Sequence, residues 1–167
     1  MSNANRELGG RWLLVRALIS FLVLPGVAAF LVPPLLIRGD ARRGDGWTFG
    51  AAVMALGAAL LLWCVRDFYA SGRGTLAPWD PPRRLVIVGL YRFVRNPMYV
   101  SVLTLVVGWA LVAASPNVAI YAALLAVGFH LRVITYEEPW LARTFGDDWA
   151  RYSAQVRRWI PQTKPQV

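Results

Sequence analysis

Apolar positions along the chain fall into four long runs. They are separated by two short polar breaks and one long basic segment. The first run is Trp12 to Ile37, interrupted by Arg16, Pro25 and Pro33-Pro34; the second is Trp47 to Tyr69. The third is Met98 to Ala114, and the fourth is Val118 to about Thr135. About 20 apolar residues cross the hydrocarbon core of a bilayer. The pattern therefore predicts an all-α integral membrane protein with about four transmembrane helices. Pro25-Gly26 should kink the first. Ala51, Ala52, Ala55, Gly57, Ala58 and Ala59 give the second a small-residue surface for close helix packing. Between the third and fourth runs, Ser115-Pro116-Asn117 reads as a tight turn, with Ser115 as cap and Pro116 as first helical residue.

The fourth run continues without a breaker into Tyr136-Glu137-Glu138, which predicts a helix projecting beyond the bilayer to Phe145 and ended by Gly146. Asp147 can cap a last amphipathic helix through Arg158. Its Trp149, Tyr152, Val156 and Trp159 would face lipid, and its Arg151, Arg157 and Arg158 water.

Arg66 to Asn96 is the longest segment that does not span. Gly72, Gly74, Pro78, Pro81 and Pro82 make its first half a turn-rich connector. Leu85–Val88 in the second half reads as a short strand or an interfacial helix turn. The stretch Arg83 to Tyr99 is too basic for lipid and too apolar for an ordinary solvated loop. It ends in Asn96-Pro97, where Asn can cap orphan N–H groups and Pro fits the first helical position. A helix N-terminus flanked by Arg suits an anionic group. We read this stretch as half of a cofactor pocket, with Glu137-Glu138 as the other half. The whole chain, 1–167, reads as one membrane domain: an N-terminal helical hairpin over 1–70 and a cofactor-binding core over 71–161.

Composition supports this reading. The 167 residues are 57% hydrophobic and 16% charged, where a soluble domain carries about a quarter charged residues. Eight Trp suit the headgroup region. The net charge of +9 raises nucleic acid as a partner. The Arg residues instead cluster between and after apolar runs, as in cytoplasmic membrane loops, so nucleic-acid binding is excluded. The second loop and the C-terminal tail are the Arg-rich ones, which places both ends of a four-span chain in the cytoplasm. Arg38, Arg42 and Arg43 in the first loop oppose this mildly. The expected location is a bacterial inner membrane, with the active site facing the cytoplasm. The first run is too long for a signal-peptide core. The single Cys, Cys64, excludes an internal disulfide framework and reads as inert packing.

The candidate chemistry clusters at the end of the fourth run. His130, the only His, shares a helix face with Glu137, two turns on; Arg132 lies on a different face. Ionisable residues in the last turns of an apolar span point to function. Arg132 is either a functional cation or a side chain snorkelling to headgroups. His130 is either functional or a hydrogen-bonded packing residue. No second His or Cys lies near enough in sequence to build a metal site.

These motifs carry a resemblance. Gly89-Leu90-Tyr91, then Arg95-Asn96-Pro97-Met98-Tyr99, an apolar hairpin, Glu137-Glu138, Leu141, Phe145-Gly146, Trp149, Tyr152 and Ile160-Pro161 resemble the isoprenylcysteine carboxyl methyltransferases. That family is related to the phospholipid N-methyltransferases. The resemblance covers roughly residues 70–161. It implies an integral membrane enzyme using S-adenosylmethionine at the cytoplasmic face. It also implies that Arg83, Arg84, Leu85, Val86, Tyr91, Asn96, Pro97, Met98, Tyr99 and Glu137 contact the cofactor. The cofactor's carboxylate suits Arg and a helix N-terminus. Its ribose suits Glu137, and its adenine and sulfonium suit Tyr91 and Tyr99.

Two positions depart from the family pattern. Its usual His before the Pro is Asn96 here, and its acceptor-binding Arg falls at Val133, one residue from Arg132. Some lipophilic acceptor other than prenylcysteine fits better, entering from lipid between the third and fourth spans. Arg132, His130 and Glu138 are the candidate catalytic residues. His130, Glu137 or Glu138 would supply a base if the acceptor is an amine or hydroxyl. The competing classes are a sterol-type reductase using NADPH, held by Arg83, Arg84, Arg92 and Arg95, and a non-catalytic membrane scaffold. The sequence leaves the oligomeric state open.

Overall fold

A computed structural model describes residues 22–37, 46–72 and 85–165. Arg83 and Arg84, most of the turn-rich connector, the first loop and the start of the first apolar run lie outside those residues. All regular elements among the described residues are helical. Helix α1 is π-helical over Leu22–Leu31 and α-helical over Val32–Ile37. The widened turns contain Pro25, which supplies no N–H to an ordinary helical ladder. Helix α2 is Trp47–Gly72. Leu85–Val88 carries no regular secondary structure, so neither a strand nor a helix turn forms there. A single 3₁₀ turn, Gly89–Arg92, follows. Helix α3 is Pro97–Ala113 and helix α4 is Pro116–Arg132. A π-helical turn over Val133–Glu137 joins α4 directly to helix α5, Glu138–Gln155.

Two of these helices are long and apolar enough to cross a membrane: Trp47–Asp67, and the continuous Pro116–Gln155. Pro25–Ile37 and Pro97–Ala113 are shorter apolar helices. Helix α3, with 17 residues, is roughly 26 Å long. Its ends are well defined. Pro97 takes the first helical position, and Ala114 closes the helix in the left-handed conformation with its N–H on the Ala110 and Leu111 carbonyls. Ser115 then caps α4 by accepting from the Val118 N–H, with Pro116 next.

Helices α2 and α3 are antiparallel and in backbone contact. A methyl group added at Gly57 would lie 2.5 Å from the Leu105 nitrogen, and one at Gly108 2.6 Å from Met54 backbone atoms. Gly50 meets Leu111 and Val112 in the same way. Gly50 and Gly57 of α2 and Gly108 of α3 thus set the distance between the two helices; of the small residues expected at this surface Gly57 is buried there, whereas Ala52, Ala55 and Ala59 are exposed. Leu61, Val102, Leu105, Val106, Val118, Ala122 and Ala29 form the buried core where α1 to α4 meet. The Tyr121 hydroxyl donates to the Ala28 carbonyl at 3.1 Å and ties α4 to α1. Beyond the core, α2 and the second loop meet at Gly89. It holds φ +52°, with the Asp67 carboxylate where any side chain would sit.

Overpacking a close helix contact costs about 1–3 kcal/mol. Gly57→Ala should therefore lower the melting temperature of the detergent-solubilised protein. Gly128→Ala, where an added methyl meets nothing, should leave it unchanged or raise it. Equal melting of Gly57→Ala and wild type would show that α2 and α3 are not held at this distance.

Candidate functional site

The π-helical turn builds the first part of the site. Pro139 has no N–H to give the Thr135 carbonyl, and its ring crowds that position in an ordinary helix. The Thr135 hydroxyl also bonds back to the Leu131 carbonyl at 2.7 Å, a habit that bends helices. The chain absorbs both by inserting a wider turn, so the Glu138 N–H bonds the Val133 carbonyl five residues back. This shifts the helix register. Arg132, expected on a face away from Glu137, instead lies beside it, with Nε donating to Oε1 at 2.8 Å. The Tyr99 hydroxyl donates to the same oxygen, and Arg132 Nε also reaches that hydroxyl at 3.2 Å. The Tyr99 ring packs on Phe129, with centroids 4.3 Å apart. A tyrosine from the first turn of α3 is thereby locked to an ion pair at the end of α4.

Glu138 builds the second part. Arg158 grips it with two parallel bonds, Nε to Oε1 and Nη2 to Oε2, both 2.7 Å. Arg95 of the second loop adds Nη1 to Oε1 at 3.0 Å. The Glu138 and Arg95 side chains are only 17% and 13% exposed, so the pairing is well shielded from water. Burial lowers the Arg95 pKa and Glu138 opposes that shift, while the hydrogen bond to Glu138 raises that of Arg158. The backbone follows the side chains. Arg95 N–H bonds the Arg157 carbonyl at 2.8 Å, and Gln162 N–H bonds the Phe93 carbonyl at 3.0 Å. Asn96 was expected to cap α3; its amide instead donates to the Arg158 carbonyl at 3.1 Å.

The C-terminal helix departs from expectation in one further respect. Gly146 breaks it as expected, with φ 49° and ψ −120°, but it ends at Gln155. Trp149, Tyr152 and Val156 do not face lipid. They are buried against Leu85, Ile87, Leu141 and Phe145, and the Tyr152 hydroxyl donates to the Tyr91 carbonyl at 2.7 Å. Arg95 lies over the Trp149 ring at 5.7 Å. The apolar stripe of an amphipathic helix meets whichever apolar surface is nearest; here the Leu85–Ile87 segment supplies it. Burial pushes the Tyr91 hydroxyl up in pKa.

Trp159, also expected at lipid, belongs to the site. Its indole N–H donates to His130 Nδ1 at 3.1 Å, and its ring lies 6.4 Å from that of Tyr99. Trp159 and His130 line one end of an open apolar groove of about 470 Å³, whose wall is Val100, Leu103, Thr104 and Val107 of α3 with Val53 of α2 and Ala126 of α4. Of the sequence-selected residues, Tyr99, Glu137 and Arg132 converge directly, and His130 joins them through Trp159. Glu138 and Asn96 bind the C-terminal segment. Val86 is buried, Leu85 packs under α5, and Met98 packs on the helix core. Among the described residues no three His, Cys, Asp or Glu side chains converge as metal ligands do.

Removing one partner of a buried ion pair costs about 3 kcal/mol or more. Glu138→Gln should therefore destabilise the folded protein strongly in chemical denaturation. Arg158→Ala should cost less, since Arg95 stays paired. Equal stability of Glu138→Gln and wild type would show that the pairing does not hold the C-terminal segment.

The phospholipid methyltransferase family matches residues 47–148, which takes in α2, α3, α4, the π-helical turn and the start of α5. Protein-S-isoprenylcysteine O-methyltransferase B of Arabidopsis thaliana is 32% identical over 78 residues, 47% of this chain and 40% of that relative. The match thus spans less than half the length of that protein. The family match, 47–148, contains Tyr99, His130, Arg132, Glu137 and Glu138, while Arg158 and Trp159 lie beyond it. The chain belongs to the phospholipid methyltransferase family.

Proposed function

We propose that this protein transfers a methyl group from S-adenosylmethionine to a lipophilic acceptor at the cytoplasmic face of a membrane. One observation carries the reading: a polar cluster, Tyr99–Glu137–Arg132, stands near an apolar groove that runs along α3 and is flanked by Val53 of α2 and by Ala126 and His130 of α4. That is the pairing a polar donor and a greasy acceptor require. The donor set fits S-adenosylmethionine. Glu137 spends Oε1 on Tyr99 and Arg132 and keeps Oε2 to accept from ribose hydroxyls. Arg132 holds Glu137 through Nε and leaves its terminal nitrogens for an anion. Tyr99, Phe129 and Trp159 offer aromatic faces that suit adenine and a sulfonium. Arg83, Arg84, Leu85, Val86, Tyr91, Asn96, Pro97 and Met98 complete the proposed cofactor set. When bound, the cofactor supplies an electrophilic methyl group on sulfur.

The protein's own contribution is alignment and exclusion of water. The groove wall admits a hydrocarbon chain from the bilayer. Arg132 and His130 are the proposed residues at the acceptor's reacting end. Glu138, with both oxygens bound to arginines, acts by holding the strap that carries Trp159. A reductase binding a phosphorylated nicotinamide would need several free basic groups, and Arg95 is already committed to Glu138.

S-adenosylhomocysteine should raise the melting temperature of the detergent-solubilised protein, and NADPH should not. Glu137→Gln should weaken S-adenosylhomocysteine binding about ten- to hundredfold by calorimetry while the protein stays folded, since a hydrogen bond to a charged group is worth about 1.5–3 kcal/mol. Stabilisation by NADPH alone would favour the reductase. Unchanged affinity in Glu137→Gln would move the pocket elsewhere.

We further propose four spans with both ends in the cytoplasm, from the four apolar runs and the placement of Arg. In a Cys64→Ala background, Arg43→Cys and Asn117→Cys should react with an impermeant thiol reagent added to sealed cells. Arg84→Cys and Lys164→Cys should not. Labelling at position 84 from outside would reject the topology.

A further inference from the structure

Trp159 and His130 form a pair that the methyl-transfer reading does not itself require. The indole N–H of Trp can only donate. It points at His130 Nδ1 at 3.1 Å, so Nδ1 must present a lone pair. A neutral imidazole carries one proton, and with Nδ1 accepting, that proton lies on Nε2. A doubly protonated ring would set N–H against N–H. The bond therefore selects both the charge state and the tautomer.

We propose that Trp159 is a positioning residue that holds His130 neutral with its proton on Nε2, so that His130 meets the acceptor as a hydrogen-bond donor and not as a base. Both residues line the apolar groove. The other polar side chain there, Thr104, spends its hydroxyl proton on the Val100 carbonyl at 2.8 Å. His130 Nε2–H is then the donor this wall has to offer. Its lone pair at Nδ1 is already occupied, so it cannot take a proton without giving up Trp159.

Trp159 is held from behind. Its neighbour Arg158 is clamped to Glu138 by two bonds, and the Arg158 carbonyl accepts from Asn96. The indole lies between Tyr99 and His130, at 6.4 and 6.0 Å between ring centres, and has little freedom to swing away. A donor at the end of an apolar groove recognises an oxygen with lone pairs. A protonated amine offers none and needs a base to remove its proton. The acceptor class that fits is a lipid-tailed molecule whose reacting group is an already ionised oxygen, such as a carboxylate. This inference rests on the methyl-transfer reading for the acceptor, but the state of His130 is measurable without it.

His130 is the only histidine in the chain. Labelling with ¹⁵N-histidine in detergent micelles therefore gives one imidazole. At alkaline pH its spectrum should show Nε2 protonated and Nδ1 unprotonated and hydrogen-bonded. In Trp159→Phe the Nδ1 signal should move to that of a free lone pair. A proton on Nδ1 in the wild type, or identical ring signals in Trp159→Phe, would overturn the proposal. Turnover supplies the second arm, with a prenylated cysteine as carboxylate probe and phosphatidylethanolamine as amine probe. Glutamine keeps a donor but is no base. His130→Gln should stay within about tenfold of wild type on the carboxylate probe, and His130→Ala should fall a further ten- to hundredfold, the scale of one hydrogen bond to a charged group. Equal loss in the two variants, or preferential methylation of the amine, would overturn the donor role. Failure of S-adenosylhomocysteine to bind the wild type would count against the methyl-transfer reading and leave the nitrogen spectrum to decide the tautomer.

Discussion

The grip of two arginines on Glu138 joins three distant parts of the chain. Arg95 lies in the second loop, Glu138 starts α5, and Arg158 lies in the C-terminal segment. A carboxylate shielded from water is costly unless its oxygens are satisfied; here both are, and one guanidinium binds in the two-pronged geometry that matches a carboxylate best. Backbone bonds from Arg95 to Arg157 and from Gln162 to Phe93 then lay the C-terminal segment along the loop. Without that strap Trp159 has no reason to sit beside Tyr99 and His130. The ion pairs are therefore a structural condition for the site.

The second constraint is helix register. A regular α-helix from Pro116 to Gln155 would put Arg132 and Glu137 on different faces. Pro139 prevents this, because the helix cannot pass a missing N–H without local rearrangement. The π-helical turn over Val133–Glu137 moves Glu137 into line with Arg132. Such turns are rare and are frequent at functional sites. Tyr99 then finds the shared oxygen from α3, so two helices that meet through an apolar core also meet through one polar cluster.

Much of this was legible in the sequence, and the losses have physical reasons. The helices of the described residues, the Ser115-Pro116 turn and the break at Gly146 follow from periodicity and caps, and of the small-residue surface expected on α2 Gly57 meets α3 while Ala52, Ala55 and Ala59 are exposed. Periodicity and caps are local rules. The relation of Arg132 to Glu137 was misread because an ideal 3.6-residue period was carried across Pro139, whose signal is plain once the missing N–H is counted. The inward faces of Trp149, Tyr152 and Val156 were misread for another reason. Amphipathic pattern shows that a stripe is buried but not by what, and lipid and the Leu85–Ile87 segment are equally apolar. Asn96 in the first position before a proline suggested a cap, yet a tertiary acceptor, the Arg158 carbonyl, won the amide. Arg158 and Trp159 were the least predictable of the site residues. Their partners are remote in sequence, and only Ile160-Pro161 beside them hinted that the segment mattered.

The same anatomy explains how one small chain can serve two solvents. The apolar groove and the polar cluster meet at Trp159, which touches both: its ring borders Tyr99, and its N–H ends on the groove-lining His130. In the proposed reaction, water would have to be kept from the reacting atoms while a charged donor and a lipid-tailed acceptor come together. A large, flat, half-polar side chain fits that junction and keeps its donor satisfied, because His130 Nδ1 accepts a hydrogen bond from its N–H. A phenylalanine there would fit equally well but leave His130 free to choose its tautomer. An aliphatic side chain would surrender the aromatic surface beside Tyr99 as well. Indole is the side chain that fills the gap, satisfies its own N–H and sets the state of its neighbour. The strap that carries it is anchored by the Arg158–Glu138 pair and by the backbone bonds between Arg95 and Arg157 and between Gln162 and Phe93.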